Sequence, residues 1–265
     1  MIVSKRPLVG VTCCTRFPED PLQAVAERYL RTAPLMEADF VLIPAMSDII
    51  DIGSIVGRLD GLLLTGSPSN VSPNRYRSAE SGVGPFDPAR DETTLRLIDE
   101  AVKQDRPVLG ICRGFQEIAV AYGATLRPDL GQHDRDQIHH TPPGVPLEEM
   151  FGLEHRVDLS PGGILERALS ASSITIVSAH FQGIDRMSSK LTVEATSHDD
   201  IIEAIRPASG ERVLAVQWHP EWRAAERVEA LKLFAWFGML IRGARPEEAA
   251  DRVAGLNSAL DQSGH

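Results

Sequence analysis

Along this chain, short uninterrupted apolar runs alternate with longer stretches in which apolar residues return every three or four positions. That alternation marks strands separated by helices, as in an α/β fold with a mostly parallel sheet. Leu8–Thr12 reads as a first strand and Phe40–Ile43 as a second, with Leu22–Leu35 as the helix between them. Gly61–Leu64 and Val108–Ile111 read as the third and fourth. A helix near Arg90–Lys103, with Leu95, Ile98 and Val102 on one face, precedes the fourth strand. Strands covered on both faces are apolar throughout rather than alternating, and the third and fourth runs fit that.

Beyond residue 127 the pattern changes. Arg127–Glu149 is rich in Pro, Gly, His and Asp without a period and reads as a long surface loop. Thr192–Ala195, Ile201–Ile205 and Val213–Gln217 are strand-like, and the turn signals between them predict antiparallel hairpins at one sheet edge. A helix over Ala224–Ile241 should turn Val228, Leu231, Phe234 and Trp236 inward. A last amphipathic helix over Pro246–Leu260, with Val253, Leu256 and Leu260, would cap the fold or join two copies of the chain into a homo-oligomer. No repeat or linker-like stretch is visible. The expectation is one domain over 1–265, its core spanning about 6–240 with a helical extension at about 245–262.

Composition narrows the function. The 265 residues are 43% hydrophobic and 24% charged, as in a globular protein rather than a disordered one. A net charge of −10 argues against nucleic acid as a partner. No apolar run approaches the roughly 20 residues needed to cross a bilayer, so no membrane partner is expected. Three cysteines do not make a disulfide scaffold. The N-terminal apolar run is too short for a signal peptide, and a cytoplasmic location with reduced thiols is expected.

The sharpest chemical signal is Gly110-Ile-Cys-Arg-Gly114, directly after a buried strand and opening a helix over Phe115–Tyr122. A nucleophile on such a turn needs small neighbours, because its backbone is strained and two segments approach closely. A thiol at a helix N-terminus also meets unpaired N–H groups and the positive end of the dipole, which favour the thiolate. Cys112 therefore reads as a nucleophile, and it needs an oriented base. His219, in Gln217-Trp-His-Pro-Glu221 at the end of a strand, is the candidate. Residues two apart in extended chain point the same way, so Glu221 can accept the His219 Nδ1 proton and fix the tautomer.

Gly-Ile-Cys-Arg-Gly-Phe-Gln at 110–116 and Gln-Trp-His-Pro-Glu at 217–221 resemble the class I glutamine amidotransferase superfamily. Within it, the chain is most similar to the γ-glutamyl-γ-aminobutyrate hydrolase (peptidase C26) family. Further resemblances are Leu62–Val71, similar to the family's oxyanion strand and loop, Asp87–Asp91, which opens the helix before the elbow, and Val177–Asp185, similar to its substrate-side loop. The resemblance implies a flavodoxin-like three-layer fold with an antiparallel edge. It also implies a Cys112–His219–Glu221 triad and an oxyanion hole made by backbone N–H groups at Ser67 and Arg113. Expected contacts to the glutamyl end or pocket wall are Gly66, Gln116, His180, Phe181 and Gln182. The implied reaction is hydrolysis of a γ-glutamyl amide, a small-molecule substrate, and needs no metal or organic cofactor.

The chain departs from many relatives at Val177 and Phe181, where Asn and a second His are common. A phenylalanine rim has less hydrogen-bonding capacity, so a diamine, polyamine or alkylamine is expected in place of γ-aminobutyrate. Two other roles fit the same scaffold: a glutaminase subunit feeding ammonia to a synthase, and a non-catalytic binding protein. His133, Asp134, Asp136, His139 and His140 include metal-ligand types but lack the spacing of a zinc site, and they read as solvated loop or a segment covering the substrate. Cys13 and Cys14 read as packing residues.

Overall fold

A computed structural model describes residues 5–17, 19–77, 82–130, 139–142 and 144–255. In chain order it runs β1 (Leu8–Thr12), β2 (Cys14–Arg16), β3 (Leu22–Ala24), α1 (Glu27–Leu30), β4 (Asp39–Ile43), α2 (Ile52–Val56) and β5 (Gly61–Leu64). Then come α3 (Pro88–Lys103), β6 (Val108–Ile111), α4 (Arg113–Ala121), β7 (Thr125–Arg127), α5 (Leu147–Met150), β8 (Glu154–Leu159), α6 (Ile164–Leu169) and β9 (Ser173–Val177). The remainder is β10 (Gly183–Arg186), β11 (Leu191–Ser197), β12 (Ile202–Pro207), β13 (Val213–Val216), α7 (Val228–Leu240) and α8 (Pro246–Ala254).

Nine strands form one sheet in the order β4-β1-β5-β6-β13-β12-β11-β8-β9. The first five are parallel and the last four join antiparallel. Leu62, Leu63, Leu64, Val108, Leu109 and Ile111 are fully buried, because β5 and β6 are covered on both faces. One face packs against α6, α7 and α8 through Leu165, Phe234, Phe237 and Val253. The other packs against α2, α3 and α4 through Val56, Leu97 and Ile118. The largely parallel α/β sheet is what the sequence pattern predicts, and the three layers with an antiparallel edge are what the family resemblance implies. No helix among the described residues is long and apolar enough to cross a membrane.

Helix α3 begins where its side chains dictate: the Asp87 carboxylate accepts the Arg90 N–H at 3.1 Å and Pro88 supplies the first residue. The same carboxylate accepts the Thr15 N–H at 2.7 Å, tying the helix start to β2.

Several expectations are corrected. Leu22–Leu35 is not one helix. Leu22–Ala24 pairs with Cys14–Arg16, the α-helical part is confined to Glu27–Leu30, and a 3₁₀ turn covers Ala33–Met36. Pro34 lacks the N–H that a continuing helix requires, which stops α1 early. Val228 does not face inward. It is the first residue of α7 and is exposed, whereas Phe234 and Trp236 are buried. Strands β8 and β9 have no counterpart in the sequence reading, although β8 alternates exposed and buried positions along its whole length. Helix α8 packs on α6 and α7 of its own chain, burying Ala249, Ala250 and Val253; Leu256 and Leu260 lie outside the described residues. Cys13 and Cys14 are buried free thiols.

Candidate active site

Between β6 and α4, Cys112 takes φ 52° and ψ −101°. Such backbone costs of order 1–3 kcal/mol for a non-glycine residue and persists only where the surroundings impose it. They do so here. A Cβ on Gly110 would come within 2.8 Å of the Gly114 carbonyl, and one on Gly114 would collide with the backbone of Leu64. The two glycines around the cysteine are thus required by the close approach of α4 to β5 and β6.

His219 lies beyond β13, its N–H donating to the Val177 carbonyl at 3.0 Å. Its Nδ1 is 2.8 Å from Glu221 Oε1. Both side chains are buried, and a carboxylate only accepts, so Nδ1 carries the proton, while Nε2 is a buried nitrogen with no hydrogen-bond partner among the described residues. Gly66 marks where these parts meet. A Cβ there would lie 3.2 Å from His219 Cε1 and 3.4 Å from Cys112 Cβ, and would collide with the Tyr29 hydroxyl. Burial opposes protonation of His219, but the Glu221 carboxylate and Cys112 outweigh it and push its pKa up to about 10. Burial likewise opposes ionisation of Glu221, yet His219 and Arg28 hold its pKa below the usual carboxylate value.

Four residues at this site were not anticipated. Arg28 donates from Nε to Glu221 Oε1 at 3.1 Å. The Tyr29 hydroxyl accepts the Gly66 N–H at 3.0 Å. Phe151 sets its ring edge-on to His219 with centroids 4.9 Å apart, and Trp222 stacks on Phe151 at 4.5 Å. None belongs to a motif, and Arg28 and Tyr29 sit in the segment whose pattern imitates one long helix.

The His219 shift gives a directional expectation for pH. A proton held up to about 10 should keep the imidazolium available as an acid until the pH rises through that value. Glu221→Gln removes the charge that raises it, so the alkaline limb of kcat/KM should move to lower pH than in the parent enzyme. Comparing the two enzymes on one substrate cancels the substrate's own titration, and coincident limbs would refute the pairing.

Because Tyr29 takes the Gly66 N–H, the amide available in this loop is that of Ser67. Among the described residues no hydrogen bond takes the N–H of Ser67 or of Arg113. The Ser67 loop is fastened by a buried ionic network. Arg113 reaches Asp91 at 2.6 Å and the Ser69 carbonyl at 3.0 Å, and it also pairs with Glu117. Arg90 reaches Glu117 at 3.1 Å and donates to both the carbonyl and, at 3.2 Å, the hydroxyl of Thr65. The i,i+4 spacing of Arg113 and Glu117 on a buried helix is the sequence signal that could have revealed this network.

The expected substrate contacts are mostly occupied within the protein. The Gln182 amide accepts the Val71 N–H at 2.8 Å and donates to the Val71 carbonyl at 3.1 Å. Gln116 Nε2 donates to the Gln182 carbonyl at 3.1 Å. His180 places Nδ1 3.0 Å from the Gln182 carbonyl and Nε2 3.5 Å from Glu203. Phe181 is half-buried and stacks on His140 at 4.2 Å. Val177 is buried, so the departure there changes packing rather than an exposed rim.

The solvated-loop expectation fails for His139. That residue is fully buried beside His155, His180 and Glu203, because the segment folds under Ser178 and His180, both of which donate to its carbonyl. His140 is half-buried rather than solvated. His133, Asp134 and Asp136 lie outside the described residues.

A strained cysteine at a strand-to-helix turn, placed at the carboxyl edge of a largely parallel sheet, defines a protein of the class I glutamine amidotransferase type. Residues 7–221 match the family model described as Peptidase C26, and the chain belongs to that family. The γ-glutamyl-γ-aminobutyrate hydrolase of Escherichia coli (strain K12) is 34% identical over 239 residues, covering 89% of this chain and 93% of that protein. A Schizosaccharomyces pombe protein assigned as a glutamine amidotransferase is 35% identical over 186 residues, covering 69% and 70%. A crystal structure from Thermoplasma acidophilum, assigned as a GMP synthase component, shares the fold. Its TM-score is 0.57 at 20% identity, covering 89% of this chain and 96% of that one.

Proposed function

We propose that this protein is a cysteine amidohydrolase that cleaves the γ-glutamyl amide bond of a γ-glutamylated amine. The observation that carries the reading is the meeting of Cys112 and the Glu221-paired His219 around Gly66, beside the uncommitted N–H groups of Ser67 and Arg113. The similarity to γ-glutamyl-γ-aminobutyrate hydrolases supports the substrate class.

In the proposed reaction the Cys112 sulfur forms a bond to the γ-carbonyl carbon, and the carbonyl oxygen takes the charge facing the Ser67 and Arg113 amides. Preorganised donors of this kind are each worth roughly 3–4 kcal/mol of barrier. The imidazolium of His219 gives its Nε2 proton to the amine nitrogen as the C–N bond breaks, leaving a glutamyl thioester. His219, now neutral, takes a proton from water, whose oxygen attacks the thioester carbon. Glutamate leaves and Cys112 is restored as the thiolate. Glu221 and Arg28 hold the imidazole in the required tautomer throughout. Gln116, His180 and Gln182 support the wall of the site, with Gly66 keeping its centre open, while Phe181 faces the amine.

An apolar ring at 181 favours an amine without a carboxylate. Glutamate release from a panel of γ-glutamyl amides is expected to show higher kcat/KM for diamine, polyamine or alkylamine amides than for the γ-aminobutyrate amide. A strong preference for the γ-aminobutyrate amide would end the proposal about the amine. Activity confined to free glutamine would end the hydrolase reading itself.

A further inference from the structure

Four ionisable side chains from different segments converge behind the strand that carries His219. His155 comes from β8 and Glu203 from β12, while His139 and His180 come from the segments joined by the His180 N–H to His139 carbonyl bond of 2.8 Å. All four are buried, and the Glu203 carbonyl accepts the Gln217 N–H at 2.7 Å, two residues before His219. The triad makes no use of them.

Their proton positions are constrained by what lies behind each ring. His139 Nε2 is 2.9 Å from an Asp199 carboxylate oxygen, and His180 Nδ1 is 3.0 Å from the Gln182 carbonyl. Both of these oxygens accept only, so the protons sit on those outer nitrogens. The inner nitrogens, His139 Nδ1 and His180 Nε2, face the Glu203 carboxylate at 3.4 and 3.5 Å from Oε1. His155 Nε2 lies 3.4 Å from the same oxygen. A buried carboxylate ringed by imidazole nitrogens needs positive charge beside it, supplied by an imidazolium, as the rise of the His139 pKa, against its burial, to about 9 beside Glu203 and Asp199 allows, or by a metal ion.

The cation is either extra protons or a metal ion, and distance separates the two. A charge-assisted N–H···O bond closes to about 2.7–2.9 Å. Ligands on neighbouring corners of a tetrahedron around zinc, with bonds of about 2.0–2.2 Å, stand about 3.3–3.5 Å apart. The contacts of 3.4, 3.4 and 3.5 Å to one oxygen match the second spacing. Donor atoms of His139, His155 and Glu203 all lie within 4.8 Å of one another, a looser bound than a tetrahedral edge, so the rings would draw inward around an ion. The Asp199 contact supplies the carboxylate–histidine pairing that orients metal-bound imidazoles.

We infer that His139 Nδ1, His155 Nε2 and Glu203 bind a zinc-type divalent transition-metal ion, with His180 Nε2 beside the remaining position. Imidazole nitrogens with one carboxylate suit zinc, cobalt and nickel better than magnesium or calcium. The ion would be structural. It would clamp the 139–141 and 178–182 segments to β8 and β12 and hold fixed the wall that carries Phe181.

The test uses the full chain with Cys112→Ala, which removes the one sulfur at the proposed substrate site that could itself capture a soft metal. After chelator treatment, titration with zinc is expected to bind one equivalent per chain and raise Tm. Cobalt(II) should give the intense visible d–d bands of a four-coordinate site. His155→Gln should weaken zinc binding at least about 100-fold, and Asp199→Asn, at a partly exposed position, about 10–100-fold. Zinc binding at less than stoichiometric amounts, the weak spectrum of six-coordinate cobalt, or unchanged affinity in Asp199→Asn would each overturn the inference. Should His155→Gln fail to fold, the cobalt spectrum and the Asp199→Asn affinity still decide it. No turnover is measured, so the outcome is independent of the proposed hydrolysis.

Discussion

Cys112→Ala is expected to lower γ-glutamyl amide hydrolysis by roughly 10⁴–10⁶-fold, the range seen when a covalent nucleophile is removed. The fold should survive. The side chain is small, its strained backbone is imposed by the packing of Gly110 and Gly114 against their neighbours, and alanine keeps the Cβ that this packing already accepts. Single-turnover assays for the glutamyl thioester, together with circular dichroism and Tm, separate chemistry from stability. A rate within about tenfold of the parent would remove the proposed nucleophile, because no other described cysteine lies at this turn; Cys13 is buried with its pKa raised to about 11, chiefly by burial and also by Cys14.

Glu117→Ala is expected to cost about 3–5 kcal/mol of stability, the usual penalty for leaving buried charge uncompensated. Its carboxylate faces two guanidiniums, Arg90 and Arg113, neither of which can lose its proton or reach water without local unfolding. For a chain of this size the loss corresponds to a Tm lower by roughly 10 °C. Activity should fall along with stability, because Arg90 holds Thr65 and Arg113 holds Ser69 on either side of the Ser67 amide. Thermal denaturation and kcat measured well below the new Tm distinguish the two effects. A Tm within about 2 °C of the parent would show that the network adds little net stability.

The parts of this protein most legible in its sequence were those whose reason is local. Leu62-Leu-Leu64 and Val108–Ile111 are apolar at every position because both faces of a central parallel strand are covered, so their bounds could be read without coordinates. The Gly-x-Cys-x-Gly turn was visible because steric demand admits little else at its two flanking positions. His219 and Glu221 sit in one tight turn rather than in the extended chain expected, the His219 carbonyl accepting the Trp222 N–H at 3.2 Å, so their closeness is still local although its geometry differs.

Elsewhere the chain was opaque. β8 alternates well, but its inward positions begin with a histidine and its outward ones are charged, so the apolar signal is thin. His139 reads as solvent-facing among polar neighbours, because nothing nearby in sequence announces the buried carboxylate of Glu203. Arg28, Tyr29 and Phe151 carry no pattern, since their partners at Glu221, Gly66 and His219 are more than thirty residues away.

The central parallel strands and the strained cysteine turn were thus written in local pattern, where sterics and burial act between near neighbours. Which charges lie buried together, which amides stay open beside Cys112, and how four ionisable side chains came to surround one point were set by the packing of distant segments. Electrostatic and hydrogen-bond energies there depend on distances that no spacing along the chain encodes.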